Sequence, residues 1–155
     1  MTRLDALYAQ AIRALSKLTC LGPLLARITI GIVFIESGWG KLHNLPKVIG
    51  YFESLGIPAA QYQAPFVAGT EFFAGALVLI GLVTRLASIP LSAIMLVAII
   101  TAKSSEINTW SDVFGFSEFL YLVLLIWLIV EGAGALSADA VIARMRGFNH
   151  QRERH

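Results

Sequence analysis

The sequence predicts an all-α membrane protein, a four-transmembrane-helix bundle with amphipathic surface helices at the N-terminus, in the first outer loop and after the last span. Three observations predict it. The 155 residues are 57% hydrophobic and 14% charged, with a mean hydropathy of +0.72, which is more apolar and less charged than a soluble domain. Four windows, about 24–43, 65–83, 86–103 and 116–136, approach the roughly 20 apolar residues needed to cross the hydrocarbon. Apolar positions run continuously within them, without the period-2 alternation over about ten residues that barrel strands carry. Helices are the other spanning solution, because every backbone amide must be bonded inside the segment.

The elements follow in chain order. Residues 2–19 place Leu4, Leu7, Tyr8, Ile12, Leu15 and Leu18 on one helical face with Arg13 and Lys17 elsewhere, the pattern of a helix lying among headgroups. A partner-binding helix would look the same; residues 1–20 are read as a cytoplasmic-side amphipathic helix. Charges at Arg3, Asp5, Arg13 and Lys17, and no small-residue cleavage site behind a short apolar core, argue against a signal peptide, so the first span is expected to stay in the protein. After it, Asn44-Leu45-Pro46 resembles a helix start. Val48, Ile49, Phe52 and Leu55 then form an apolar stripe that should end at Gly56, with Pro58 preventing continuation. Spans two, three and four carry the chain to about residue 136, which makes residues 21–140 one membrane domain. Ser137 can cap a further helix through Met145 with Gly147 as its stop, and residues 141–155 read as a basic cytoplasmic tail.

Orientation comes from the flanking Lys and Arg residues. Arg3, Arg13, Lys17, Arg85, Arg144, Arg146, Arg152 and Arg154 fall on one side and Lys41, Lys47 and Lys103 on the other, so both termini are expected in the cytoplasm. The single Cys20 excludes an internal disulfide.

The segment Ile35-Glu36-Ser37-Gly38-Trp39-Gly40-Lys41-Leu42-His43 carries three ionisable groups into an apolar run. With each span centred on its window, Glu36 and Glu71 share a level roughly 4 Å outward of the midplane. Lys41, His43, Lys103, Glu106, Asp112 and Glu118 lie further out on the same side, with Trp39 and Trp110 at interface height. Lys41, His43 and Lys103 can snorkel to the surface. A carboxylate arm is short, and a charge deep in the bilayer costs about 2.5–3.5 kcal/mol even on lenient scales, so Glu36 and Glu71 favour a functional reading. Glu36, Trp39, Lys41, His43, Glu71, Lys103 and Glu118 are the candidate ligand- or partner-binding residues. Arg27, Arg85 and Glu131 are candidates for structural charge pairs at the cytoplasmic end, Arg27 with Glu131 in particular.

Helical geometry divides the first span. Arg27, Gly31, Phe34, Gly38 and Lys41 form one stripe, and Glu36, Trp39, Gly40 and His43 form another. Glu36 points about 180° from Arg27 and about 140° from Lys41. Either the helix opens at Gly38-Trp39-Gly40, or Glu36 faces a subunit, a partner or a ligand from the bilayer. Gly31 and Gly38 would let a neighbouring helix approach closely.

Several function classes find no support. The chain has no CxxC, haem-attachment motif, HExxH, Walker loop or Rossmann fingerprint. His43, His150 and His155 are too far apart for an obvious metal box, so no metal site is expected, and no nucleophile with an adjacent base identifies a catalytic residue. Basic residues beside the spans are accounted for by topology, so no nucleic acid partner is expected.

The run Arg27-x3-Gly31-x2-Phe34-x3-Gly38-x2-Lys41, then Leu55-Gly56-Ile57-Pro58, then Glu71-x3-Gly75-x5-Gly81-x2-Thr84-Arg85, with Ala98 in the third span, resembles the DoxX family of small bacterial membrane proteins. The resemblance covers about residues 21–140. It implies a four-helix bundle in the bacterial cytoplasmic (inner) membrane, multi-pass, and redox-associated functions, quinone-linked in some members and part of oxidative-stress complexes in others. The family's polar signature falls on Arg27, Lys41, Glu71 and Arg85. The chain departs from it at Glu36-Ser37, where relatives often have an apolar residue and a histidine.

Three readings follow. The first is an accessory subunit, without catalysis of its own, of a redox-associated membrane complex, with an outer-side ligand- or partner-binding cluster. The chain itself would hold no cofactor, its ligand would be a quinone or a lipid, and besides the lipid bilayer its partner would be a second copy or a redox protein. The second is a small proton-coupled transporter or permease in which Glu36 and Glu71 carry the proton. The third is an assembly scaffold whose buried charges set helix register.

Overall fold

The computed structural model describes residues 10, 19–107 and 109–152, with the side chains of 105 and 146–152 excepted. The described residues are helical and contain no strand. In chain order they form α1 (Leu21–His43), α2 (Leu45–Ser54), α3 (Ala60–Ile80), α4 (Thr84–Thr101), a 3-10 turn (Ser104–Glu106), α5 (Trp110–Val113), α6 (Ser117–Glu131) and α7 (Ala138–Arg152). Three of these, α1, α3 and α4, are long and apolar enough to cross a membrane.

The fourth expected window, 116–136, holds only the 15 residues of α6, a length of about 22 Å at 1.5 Å per residue. Gly132 ends it early, at φ 89°, a conformation that L side chains rarely adopt. The expected surface helix over 2–19 lies, apart from Gln10 and Thr19, outside the described residues. At the other end, Ser137 Oγ accepts the Ala140 N–H at 3.1 Å, the cap expected of it. The helix that follows runs through Gly147 to Arg152 rather than stopping there, since a mid-helix glycine weakens a helix by only about 1 kcal/mol.

The four long helices close into a ring. The α1/α3 contact is the most extensive, α4 lies along α6, and the α3/α4 and α1/α6 contacts complete the circle. Small residues make the α1/α3 seam: Ala60, Ala64, Ala68, Ala74 and Gly75 are buried on one face of α3, with Glu71 among them. Gly38 has no room for a side chain, because a methyl there would stand 2.5 Å from the Phe72 amide nitrogen. Ile30, Phe34, Val78, Leu91, Leu125 and Leu128, each at most 2% exposed, fill the centre. Outward faces stay apolar, with Leu25, Phe73, Leu86, Ile100, Leu120 and Val130 all more than half exposed, the distribution of a bundle whose surroundings are lipid.

Candidate functional site

α1 is one unbroken helix through Gly38-Trp39-Gly40, so the two stripes of that segment face opposite ways. Lys41 and Ser37, four residues apart, turn toward α3 and meet Glu71. Lys41 Nζ donates to Oε1 and Oε2 of Glu71 at 2.5 and 2.6 Å, and Ser37 Oγ donates to Oε2 at 2.9 Å. Glu71 is 1% exposed and the Lys41 side chain 30%. A carboxylate so deep in an apolar bundle requires partners of this kind, since an isolated buried charge is prohibitively costly.

The pair forms part of the wall of a cavity of about 630 Å³ bounded by α1, α2, α3, α4 and α6. Its size is that of a small-ligand pocket, which typically runs to several hundred Å³. Apolar side chains such as Phe34, Phe52, Phe66 and Met95 line most of it, with polar groups at Ser37, Lys41, Tyr51, Glu71, Glu118 and Tyr121. Of the residues expected to cluster, Lys41, Glu71 and Glu118 therefore share one cavity.

The others do not line it. Lys103 pairs with Glu106 at 3.0 Å and lies 5.4 Å from the centre of the Phe116 ring. Hydrogen bonding to Glu106 raises the Lys103 pKa above its ordinary value, against some desolvation and with help from the charges of Glu106 and Glu118. Glu36, Trp39 and His43 are exposed on the far side of α1. There the Trp39 and His43 rings meet at a tilt of 49° with centres 4.1 Å apart, the Phe72 ring centre lies 5.7 Å from that of Trp39, and Glu36 has no hydrogen bond or ion pair among the described residues. Glu36 does share the level of Glu71, whose partner Ser37 is its chain neighbour.

At the opposite end of the bundle the arginines bind backbone. Arg27, 3% exposed, donates from Nε to Val78 O at 3.1 Å, from Nη2 to Leu79 O at 3.1 Å, and from Nη1 to Ala133 O and Leu136 O at 2.7 and 2.8 Å. It thus binds two carbonyls of the last turn of α3, Leu79 O and Val78 O, the second of which also accepts the Gly81 N–H, and ties the loop after α6 to them. The expected Arg27–Glu131 pair is not formed, because the guanidinium is occupied by four carbonyls and Glu131 is exposed. Arg85 likewise donates to Val130 O and Glu131 O, at 3.1 and 3.3 Å, at the end of α6. Asp139 of α7 accepts the Val83 and Thr84 N–H groups at 2.8 and 3.3 Å, which caps α4 where Val83 has a positive φ of 47°.

A family model described as DoxX matches residues 22–104, the stretch that contains Arg27, Lys41, Glu71 and Arg85. The chain belongs to the DoxX family. It is 33% identical over 129 residues, 76% of this chain and 79% of the relative, to the uncharacterized membrane protein Rv3486 of Mycobacterium tuberculosis. Over 128 residues, 83% of this chain and 97% of the relative, it is 27% identical to the inner membrane protein YqjF of Escherichia coli. No solved structure matches.

The four polar residues that the family resemblance singles out thus divide by location. Arg27 and Arg85 hold helix ends together, while Lys41 and Glu71 form the polar patch of a cavity. Ser37, Tyr51 and Tyr121 add to that patch and are not among the expected residues. Only Ser37 left a trace in the sequence, one helical turn before Lys41 on the same face. The tyrosines reach the cavity through tertiary packing of α2 and α6.

Proposed function

We propose that this DoxX protein is an accessory subunit of a redox-associated complex in the bacterial cytoplasmic membrane, and that it binds a quinone-sized amphiphile or a lipid in its outer-half cavity. The carrying observation is the Lys41–Glu71 pair in the wall of an apolar cavity of about 630 Å³. An ion pair buried for stability alone gains little over apolar packing, whereas one at a cavity wall can orient a ligand. The donor set fits a quinone. Lys41 would hold one carbonyl, the tyrosine hydroxyls could reach another polar atom, and the phenylalanine-lined wall would take the ring and tail. A bound quinone would supply two-electron redox chemistry to a partner protein.

Membrane placement follows the same reading. α6 serves as a fourth span, since its exposed face is apolar from Leu120 to Val130, and both termini then lie in the cytoplasm beside the Arg85 loop. α2 lies at the outer surface. The outward-facing stripe of Glu36, Trp39 and His43 is where a second subunit or a redox protein would dock. The Escherichia coli relative, named an inner membrane protein, supports this membrane as the location.

The test is extraction of the protein in mild detergent from membranes of a quinone-producing host, followed by solvent extraction and mass spectrometry. Wild type should carry a quinone or lipid in stoichiometric amount, and Lys41→Met should carry several-fold less. A wild-type protein free of both, and of any co-purifying redox protein, would count decisively against the proposal.

A further inference from the structure

We infer that the cavity is entered sideways from the outer leaflet, between α3 and α4, and that it selects an amphiphile with an uncharged head group. The inference rests on the reading of the cavity as a ligand site. Its first support is the rim. Phe66 of α3 and Val97 of α4 line the cavity and are nevertheless 73% and 50% exposed, and Ala93, one turn from Val97, is lining and exposed as well. Side chains that face a cavity and the surroundings at once mark an opening. This one is wholly apolar and continues into the lipid-facing surface at Ile89, Leu96 and Ile100. A second, polar rim lies toward α2, where Lys47, Tyr51 and Gln63 are lining and exposed. A molecule seated between the two rims has a tail on one side and a polar end on the other.

The charge of the wall is the second support. Its ionisable side chains with formal charge are Lys41 and Lys47 against Glu71 and Glu118, so the cavity offers an entering ion no net countercharge. Lys41 is already neutralised at contact distance by both oxygens of Glu71. An ammonium has three donors, and the exposed part of Lys41 leaves one for a neutral acceptor such as a carbonyl. At the Lys41–Glu71 pair, where both charges are already matched, a charged head would lose its hydration without gaining a counterion.

Three diazirine-tagged probes with one dodecyl chain distinguish the outcomes: a methyl ketone, a carboxylate and an alkylammonium. Each is added to proteoliposomes of phosphatidylethanolamine and phosphatidylglycerol and flashed at short times, and adducts are mapped by peptide mass spectrometry. The ketone should label the segments around Phe66–Glu71 and Pro90–Thr101 fastest. Filling the lateral rim with Val97→Trp, or independently Ala93→Trp, should slow that labelling about tenfold, while Ile89→Trp on the neighbouring lipid face leaves it unchanged. Helical circular dichroism and a single gel-filtration peak establish that each variant is folded. Cavity labelling that ignores both rim variants overturns the route, and faster labelling by either ion overturns the selectivity. If no probe labels the cavity in wild type, it is the ligand-site reading itself that fails.

Discussion

Glu71 sits where an unpaired carboxylate could not be tolerated, and its two partners come from a single face of α1, Lys41 and Ser37. Removing the cation leaves the buried acceptor uncompensated. Lys41→Met is expected to lower stability by about 2–4 kcal/mol, toward the low side of values for fully buried pairs because Lys41 keeps 30% of its side chain exposed. Adding Glu71→Gln to that variant should restore more than half of the loss, since both charges then go together. Thermal unfolding of the two single variants and the double variant in detergent measures the coupling. Simple addition of the single effects would show that the two side chains do not act as a pair. Arg27 is the contrasting case, a cation whose partners are four backbone carbonyls, so its planar fork of donors matters more than its charge.

Glycines set the helix spacing at the level of the elements. Gly38 lies against the backbone of α3, with a built methyl 2.5 Å from Phe72 N and 2.7 Å from Ala68 O, while Gly40, two residues on, has nothing within 4 Å. Backbone cannot rotate away as a side chain can. Gly38→Ala is therefore expected to cost about 1–3 kcal/mol by forcing α1 and α3 apart, and Gly40→Ala should be neutral or slightly stabilising. Paired melting curves of the two variants check this, and equal behaviour would mean that the seam is not tightly packed. The same seam carries the cavity pair, so Gly38→Ala should also weaken the Lys41–Glu71 contact. The far ends of the helices are joined by polar caps instead: Asp139 serves α4, Arg85 serves α6 and Arg27 serves α3.

Those caps bear on the topology of the whole molecule. Through Arg27, the first turns of α1 reach the loop after α6. Arg85 at the start of α4 reaches the end of α6, and Asp139 of α7 reaches the start of α4. All these termini share one end of the bundle. If α6 crosses the membrane as proposed, a C-terminal fluorescent fusion should glow and a C-terminal alkaline phosphatase fusion should be inactive, and fusions after Thr101 should show the reverse. Active phosphatase at the C-terminus would overturn that topology. The three long helices were legible from length and hydropathy, because lipid-exposed helices must be apolar around most of their circumference. The 116–136 window overextends α6 because it continues in apolar residues past Gly132, where the positive φ and the bonds from Arg85 end the helix.

The candidate site was half legible. Period alone places Lys41 and Glu36 on opposite faces of α1, and depth alone places Glu71 level with Glu36 and Lys41 further out. Sequence by itself determined the membrane class, the three long helices, the family and the presence of charge toward one end of the bundle, because each follows from local composition, spacing or pattern. Tertiary structure decided which charges meet. Helix rotation and the glycine seam set Lys41 and Ser37 against Glu71, left Glu36 facing outward, and gave Arg27 to backbone carbonyls instead of Glu131. A side chain's partner depends on the rotation and distance of the neighbouring helix, and those are fixed by packing across residues far apart in the chain.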